Sequence, residues 1–197
     1  MRFHHVASNV PVEALKTQID QHPELWNQYE IRTRDPNSPF HGVPDIWVRY
    51  RQWAELTNFV KYLEPHPGTF YPAWDALPAL HPIVFDLMHT VRATYLGAIL
   101  ITTIPPHGHV KPHHDRYSWH CEFTDCKAFL AISGKGPCIF HAEDETLSWE
   151  PGEAYAFNNM RTHSVQNLSD QPRTTAIICM RTASGNFCHD TGPYPFP

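Results

Sequence analysis

KAFLAISGKGPCIFHAEDETLSWEPGEAYAFNN, residues 127–159, is a chain of short apolar stretches cut by Gly, Pro and polar residues. Apolar runs of about four to six residues between such breakers are too short for stable helices and read as strands. The predicted strands here are Lys127–Ile132, Cys138–His141, Glu145–Trp149 and Ala154–Phe157.

The same pattern extends outward on both sides. Ala98–Thr103 and His109–His113 precede the stretch, and His163–Asn167 and Thr174–Met180 follow it. About eight strands without an intervening helix point to an antiparallel jelly roll, a closure that leaves few exposed edges. The first half reads differently. It holds a predicted helix over Val12–Gln21, strands over Gln28–Thr33 and Asp45–Arg51, and helices over Ala54–Leu63 and Pro82–Ala93. Between the last two lies EPHPGTFYPAWDALPALHP, Glu64–Pro82, predicted to cross the surface irregularly and long enough to serve as a lid. The tail Cys188–Pro197 is also predicted to be irregular. The expected organisation is a single domain over 1–197 and a mainly β fold. A mixed support in 1–94, with flanking N-terminal helices, packs on a metal-binding, cupin-like jelly-roll core (a double-stranded β-helix) in 95–183.

The bulk properties agree with one compact unit. The chain has 197 residues, 42% of them apolar, enough for a single domain with its own core. Its formal charge is -5 and it has no Lys/Arg-rich run, so the counterion release that drives nucleic-acid binding lacks a source and nucleic acid is disfavoured as a partner. Five cysteines without a C-x-x-C pair fit reduced, buried thiols and a cytoplasmic location. The start, MRFHHVASNVP, lacks the apolar segment of a secretory signal. No stretch approaches the ~18 consecutive apolar residues of a membrane span, so no membrane is expected.

Fifteen histidines invite a metal, and their placement matters more than their number. Residues 107–115 read HGHVKPHHD, ending in an H-x-D. On a strand, residues i and i+2 share a face, so His113 and Asp115 can reach one ion while His114 points away. His163 opens a later strand and is a plausible third ligand. Two His and one carboxylate form a facial triad that leaves open positions on Fe(II) for a bidentate cosubstrate and O2. Arg173, ten residues after His163 and followed by TTAIICM, offers a guanidinium suited to a carboxylate.

Taken in order, Thr102, HVKPHHD, Phe129-Leu130-Ala131-Ile132, Trp149-Glu150-Pro151-Gly152-Glu153, Phe157-Asn158-Asn159, His163 and Arg173 resemble the aspartyl/asparaginyl β-hydroxylase-like branch of the Fe(II)/2-oxoglutarate-dependent oxygenases, which is related to proline hydroxylases. The resemblance covers Thr102 to Arg181. It implies that His113, Asp115 and His163 hold iron, that Arg173 pairs with the distal carboxylate of 2-oxoglutarate, and that Thr102 adds a hydroxyl. Where relatives often carry Arg and His on the strand after the first ligands, this chain has Lys127 and Phe129, which makes Lys127 the candidate second anchor for the cosubstrate. The implied reaction couples oxidative decarboxylation of 2-oxoglutarate, to succinate and CO2, with hydroxylation of a C–H bond in an amino acid or in a peptide or protein side chain. Trp119, Trp149 and the Glu64–Pro82 loop are candidate walls, and Arg49, Trp119, Asn158, Asn159 and Arg161 are candidate substrate contacts, the last three reading equally well as turn formers.

Blander readings compete. An H-x-D in a His-rich chain arises by chance, and HGH at His107 and His109 is an H-x-H that could feed a cupin-type site instead. The alternative function is a cupin-like metal-binding module without catalysis. A nucleobase demethylase would want a basic surface, which this charge balance does not offer.

Overall fold

The computed structural model describes residues 3–56, 68–115 and 123–188. In chain order these form β1 (Phe3–Ala7), α1 (Glu13–Gln21), β2 (Asp45–Tyr50), β3 (Thr69–Phe70), α2 (Pro72–Ala76), α3 (Leu80–Thr90) and β4 (Ala93–Ile104). There follow β5 (His109–His113), β6 (Cys126–Ser133), β7 (Cys138–Ala142), β8 (Glu145–Leu147), β9 (Ala154–Phe157), β10 (His163–Asn167) and β11 (Arg173–Thr182). One sheet runs β1-β9-β6-β11-β4-β2-β3 and the other β5-β10-β7-β8, with antiparallel neighbours throughout. Facing one another, the two sheets make a double-stranded β-helix of the jelly-roll, cupin-like kind.

The large sheet is buried on both faces, which explains why its central strands read as continuous apolar runs. Along β11, Ala176, Ile178 and Met180 face an outer core, while Ile177 and Cys179 face the interior between the sheets. The outer core is covered by helices. Leu80, Ile83, Val84 and Leu87 recur at helical spacing on α3, and Leu15 and Ile19 do the same on α1. The inner core is aromatic: Phe129 stacks on Phe157 at 4.7 Å and Phe140 on Trp149 at 4.0 Å. Phe129 of the large sheet also meets Phe140 of the small one at 5.9 Å, and these rings fill the space between the sheets except for a narrow cavity of about 30 Å³.

Several elements differ from the sequence expectations. Gln28–Thr33 is not a strand: the Thr33 and Arg34 N–H groups both donate back to Glu30 O, so local turns take the backbone groups a ladder would need. Its alternation of Tyr29 and Ile31 with polar residues imitates a strand, yet Ile31 is exposed. Of the predicted Ala54–Leu63 helix, a 3₁₀ turn spans Trp53–Glu55 and residues 57–63 lie outside the described residues. The Glu64–Pro82 stretch is not irregular throughout, since β3 and α2 form inside it, α2 starting on Pro72 where a missing N–H costs nothing; residues 64–67 are outside the described set. α3 begins at Leu80 and stops at Thr90, because Arg92 takes a positive φ of 54° and launches β4. β1 escaped notice because FHHVA sets two exposed histidines between Phe3 and Val6, the buried pair that docks it beside β9. Beyond Cys188 the tail is not described.

Candidate metal centre

Two antiparallel neighbours of the small sheet meet at one end of the barrel. His113 closes β5, His163 opens β10, and the ladder sets them directly opposite each other. Their rings lie 4.2 Å apart between centroids. Each ring is oriented in the same way: His113 Nδ1 donates to Lys111 O at 2.8 Å, and His163 Nδ1 donates to Arg161 O at 2.9 Å. A carbonyl can only accept, so the proton sits on Nδ1 and the Nε2 lone pair is free on both rings. His113 Nε2 is buried and has no hydrogen-bond partner.

Asp115 completes the group. β5 ends at His113, so Asp115 is not placed by strand alternation as its H-x-D spacing predicts. Its N–H donates instead to Asn159 O at 3.0 Å, which brings the carboxylate back over the two rings. Asp115 Oδ1 lies 3.6 Å from His113 Nε2 and Oδ2 lies 3.9 Å from His163 Nε2. The three potential ligand atoms fall within 4.8 Å of one another, a spacing that can hold a metal ion. Asp115 Oδ2 also accepts from Asn159 Nδ2 at 3.0 Å and from the Lys127 ammonium.

The electrostatics follow from this burial. Burial pulls His163 down to about 4, against the upward pull of Asp115, and lowers His113 in the same way, so both imidazoles are neutral at physiological pH. Burial alone would raise the Asp115 carboxyl, but Lys127, His163 and His113 outweigh it and hold it well below the usual carboxylate range. A neutral His pair beside a firmly ionised carboxylate is the state in which these groups bind a divalent cation.

From this group the cavity runs between the sheets, past Lys127, Phe129, Thr102 and Thr175. Thr102 on β4 and Thr175 on β11 are cross-strand neighbours, and both are buried. Arg173, two residues before Thr175 on the same face, is 2% exposed and donates to Gly134 O at 2.9 Å and to Trp149 O. Its Nε and the Thr175 hydroxyl are buried without a partner. Unspent donors in an apolar interior favour an anionic oxygen ligand, and the cost of leaving them unmade is on the order of 1–3 kcal/mol each.

The other predicted contacts scatter. Arg49 is buried on β2, donates to Gly97 O at 2.7 Å, and lies over the Phe70 and Tyr95 rings, not among the cavity-lining residues. Asn158 Oδ1 accepts the Met160 N–H at 3.1 Å and so shapes the turn before β10. Arg161 is partly exposed, lies 3.5 Å from Glu143, and lends its carbonyl to His163. Trp119 is outside the described residues, as is Cys121; the cysteines at 126, 138, 179 and 188 are buried and unbridged. His107 and His109 are exposed, and His107 faces Asp170 at 2.9 Å, so neither joins the cluster. Asn159, a candidate substrate contact by its sequence position, bonds Asp115 instead, and Thr175 carries a contact that sequence reading left unassigned. The signals were there: Asn159 adjoins the ligand turn, and Thr175 shares the Arg173 face of a strand. Arg32 was missed altogether; it pairs with Asp45 and lies over Phe40, whose ring meets His113 at 4.8 Å. Among the described residues no helix is long and apolar enough to cross a membrane.

The sequence model of the family described as aspartyl/asparaginyl β-hydroxylase matches residues 8–182. A prolyl hydroxylase from Trichoplax adhaerens, solved in complex with a hypoxia inducible factor oxygen degradation domain peptide fragment, has a TM-score of 0.60 at 9% identity, over 93% of this chain and 85% of that one. An oxidoreductase of the 2OG-Fe(II) oxygenase family from Burkholderia pseudomallei has a TM-score of 0.51 at 11% identity, over 75% and 71% of the two chains. At such identities the likeness speaks for the fold. Among curated sequences, β-galactosidase LacZ of Lactobacillus acidophilus is 25% identical over 93 residues, and the match spans 44% of this chain but only 13% of that enzyme.

Proposed function

Because this chain belongs to the aspartyl/asparaginyl β-hydroxylase family, we propose that it is an Fe(II)- and 2-oxoglutarate-dependent oxygenase that hydroxylates an amino acid, free or as a side chain of a peptide or protein. The observation that carries this reading is the buried, partnerless His113 Nε2 facing His163 and Asp115. An atom of that kind needs an electrophile, and a donor set of two imidazoles and one carboxylate fits Fe(II). Residues 1–197 act as one catalytic domain, with 1–94 as support and 95–183 as the metal-binding core.

His113 Nε2, His163 Nε2 and an Asp115 oxygen hold the metal, and the Lys111 and Arg161 carbonyls fix both ring orientations. Bound there, Fe(II) with 2-oxoglutarate and O2 supplies the oxidation of a C–H bond, with release of succinate and CO2. Arg173 offers its free Nε–H to the distal carboxylate of the cosubstrate, and the Thr102 and Thr175 hydroxyls line the way to it. Lys127 pairs with Asp115 in the metal-free protein, and its ammonium would serve as the second anchor for the cosubstrate. Phe129, Phe140 and Phe157 exclude water around these charges, which strengthens every polar contact inside. Arg161, at the partly exposed turn before His163, faces the substrate side.

The test is anaerobic titration of Fe(II) and 2-oxoglutarate into the metal-free protein, following the weak visible charge-transfer band of a bidentate cosubstrate on iron. The band should form with the unaltered chain and be lost in Asp115→Ala and His163→Ala, which also lose succinate formation; full turnover in either variant sinks the assignment. Arg173→Ala should keep iron while weakening the cosubstrate by about 2–5 kcal/mol, the usual loss when one partner of a buried charge pair is truncated. Iron binding without any band would favour the cupin-like module.

A further inference from the structure

On the far side of β6 from the metal centre a second group of reactive side chains comes together. Asp125, just before β6, gathers the chain that leaves β11. Its Oδ1 accepts the Thr182 N–H at 2.7 Å, and its Oδ2 accepts the Thr182 hydroxyl at 2.5 Å and the Phe187 N–H at 2.8 Å. Its backbone carbonyl accepts the Cys188 N–H at 3.0 Å. These bonds fold residues 183–188 back along the entry to β6. Position 188 therefore lies beside position 125, which brings its side chain next to that of Cys126 in the outer core. Both side chains belong to the outer core; Cys126 is fully buried and Cys188 is 6% exposed. No metal-ligand cluster includes either thiol among the described residues, so the pair stands as a dithiol.

We propose that Cys126 and Cys188 form a reversible dithiol/disulfide site whose oxidant is a small-molecule disulfide such as oxidised glutathione. Cys188, which keeps some exposure, acts first. Its sulfur loses a proton to water and attacks one sulfur of the oxidant; that S–S bond breaks and one glutathione leaves as its thiol. Cys126 then gives up its proton and attacks the Cys188 sulfur of the mixed disulfide, forming the Cys126–Cys188 bond and expelling the second glutathione. Two protein thiols lose two electrons and two protons, and one disulfide becomes two thiols. Cys126, fully buried, does not meet the oxidant itself and reacts only with the sulfur beside it. The bond closes a loop from residue 126 to residue 188 that contains β6 to β11, and with them His163 and Arg173. Cross-linking a loop of that length removes freedom chiefly from the unfolded chain. None of this depends on the catalytic reading.

The test uses the full chain equilibrated in glutathione buffers of graded redox ratio, alkylated with iodoacetamide and digested with trypsin without reduction. Mass spectrometry should find peptide 117–127 joined to peptide 182–197, with fragmentation placing the link on Cys126 and not on Cys121. The link should disappear on dithiothreitol treatment and in Cys126→Ala or Cys188→Ala, and persist in Cys121→Ala. The oxidised form should melt roughly 5–15 °C higher than the reduced form. Glutathione left on Cys188 without the link, a link made through Cys121, or alkylation of both thiols at every ratio would each overturn the proposal. Because fragmentation of the unaltered chain decides the site, a variant that fails to fold does not cloud the result.

Discussion

At the scale of single residues, the metal centre is a problem of keeping two imidazoles neutral and one carboxylate charged in a dry place. His163 titrates near 4, below the ordinary value of 6.5 it regains on unfolding. Between those two values the unfolded chain binds the proton and the folded chain does not, so the metal-free protein loses stability as pH falls from about 6.5 to 4. His113 shifts in the same direction and adds to the effect, while the depressed Asp115 gives way only in stronger acid. Urea unfolding of the chelated protein at pH 7.5 and pH 5 measures this, and the difference should shrink in His163→Gln, which cannot take a charge. Asn159 should matter through Asp115 alone, since it holds both the N–H and one oxygen of that residue. Asn159→Ala is expected to weaken metal binding by about 10- to 100-fold, through the lost Nδ2 contact, while the fold survives. Co(II) titration reads it, and an unchanged affinity would show that the ligands need no such support. The H-x-D and the later His were legible as candidates because ligand chemistry restricts residue type. Asn159 was legible as a substrate contact or a turn former but not as support for Asp115, because no spacing rule ties an amide before a strand to a carboxylate 44 residues away.

At the scale of elements, the β6–β7 turn fixes Arg173. Gly134 has a φ of 98°, and a Cβ there would lie 2.6 Å from Pro172 O and 3.0 Å from Arg173 Cα, both backbone atoms that cannot swing aside. Its own carbonyl receives Arg173 Nη1. Gly134→Ala should therefore cost about 1–3 kcal/mol in thermal unfolding and weaken 2-oxoglutarate more than iron, because it moves the guanidinium and leaves the ligand hairpin alone. Legibility at this scale follows periodicity. Strands β4, β6, β7, β9 and β11 announced themselves because both faces, or one whole face, are apolar. β1 and the turns at 28–34 did not, since two exposed histidines hide the first and a false alternation disguises the second.

At the scale of the whole molecule, the large sheet separates two cores that do different work. One, under α1 and α3, holds the scaffold; the other, between the sheets, surrounds the cavity. Leu80→Ala, in the first, should cost about 2–5 kcal/mol of stability and leave iron affinity intact. Phe129→Ala, in the second, should cost about 3–5 kcal/mol and also loosen the cosubstrate site, since its ring lines the cavity beside Lys127. Chemical denaturation paired with metal and cosubstrate titrations separates the two cases. The His ligands ride on the small sheet, whereas Thr102, Arg173 and Thr175 ride on the large one. Phe129 of the large sheet meets Phe140 of the small one at 5.9 Å, so these rings act as shims between two jaws and set the gap between them. If the proposed cosubstrate reaches from one jaw to the other, trimming a shim, as in Phe129→Ala, should change which dicarboxylate length is preferred before it alters which metal is held.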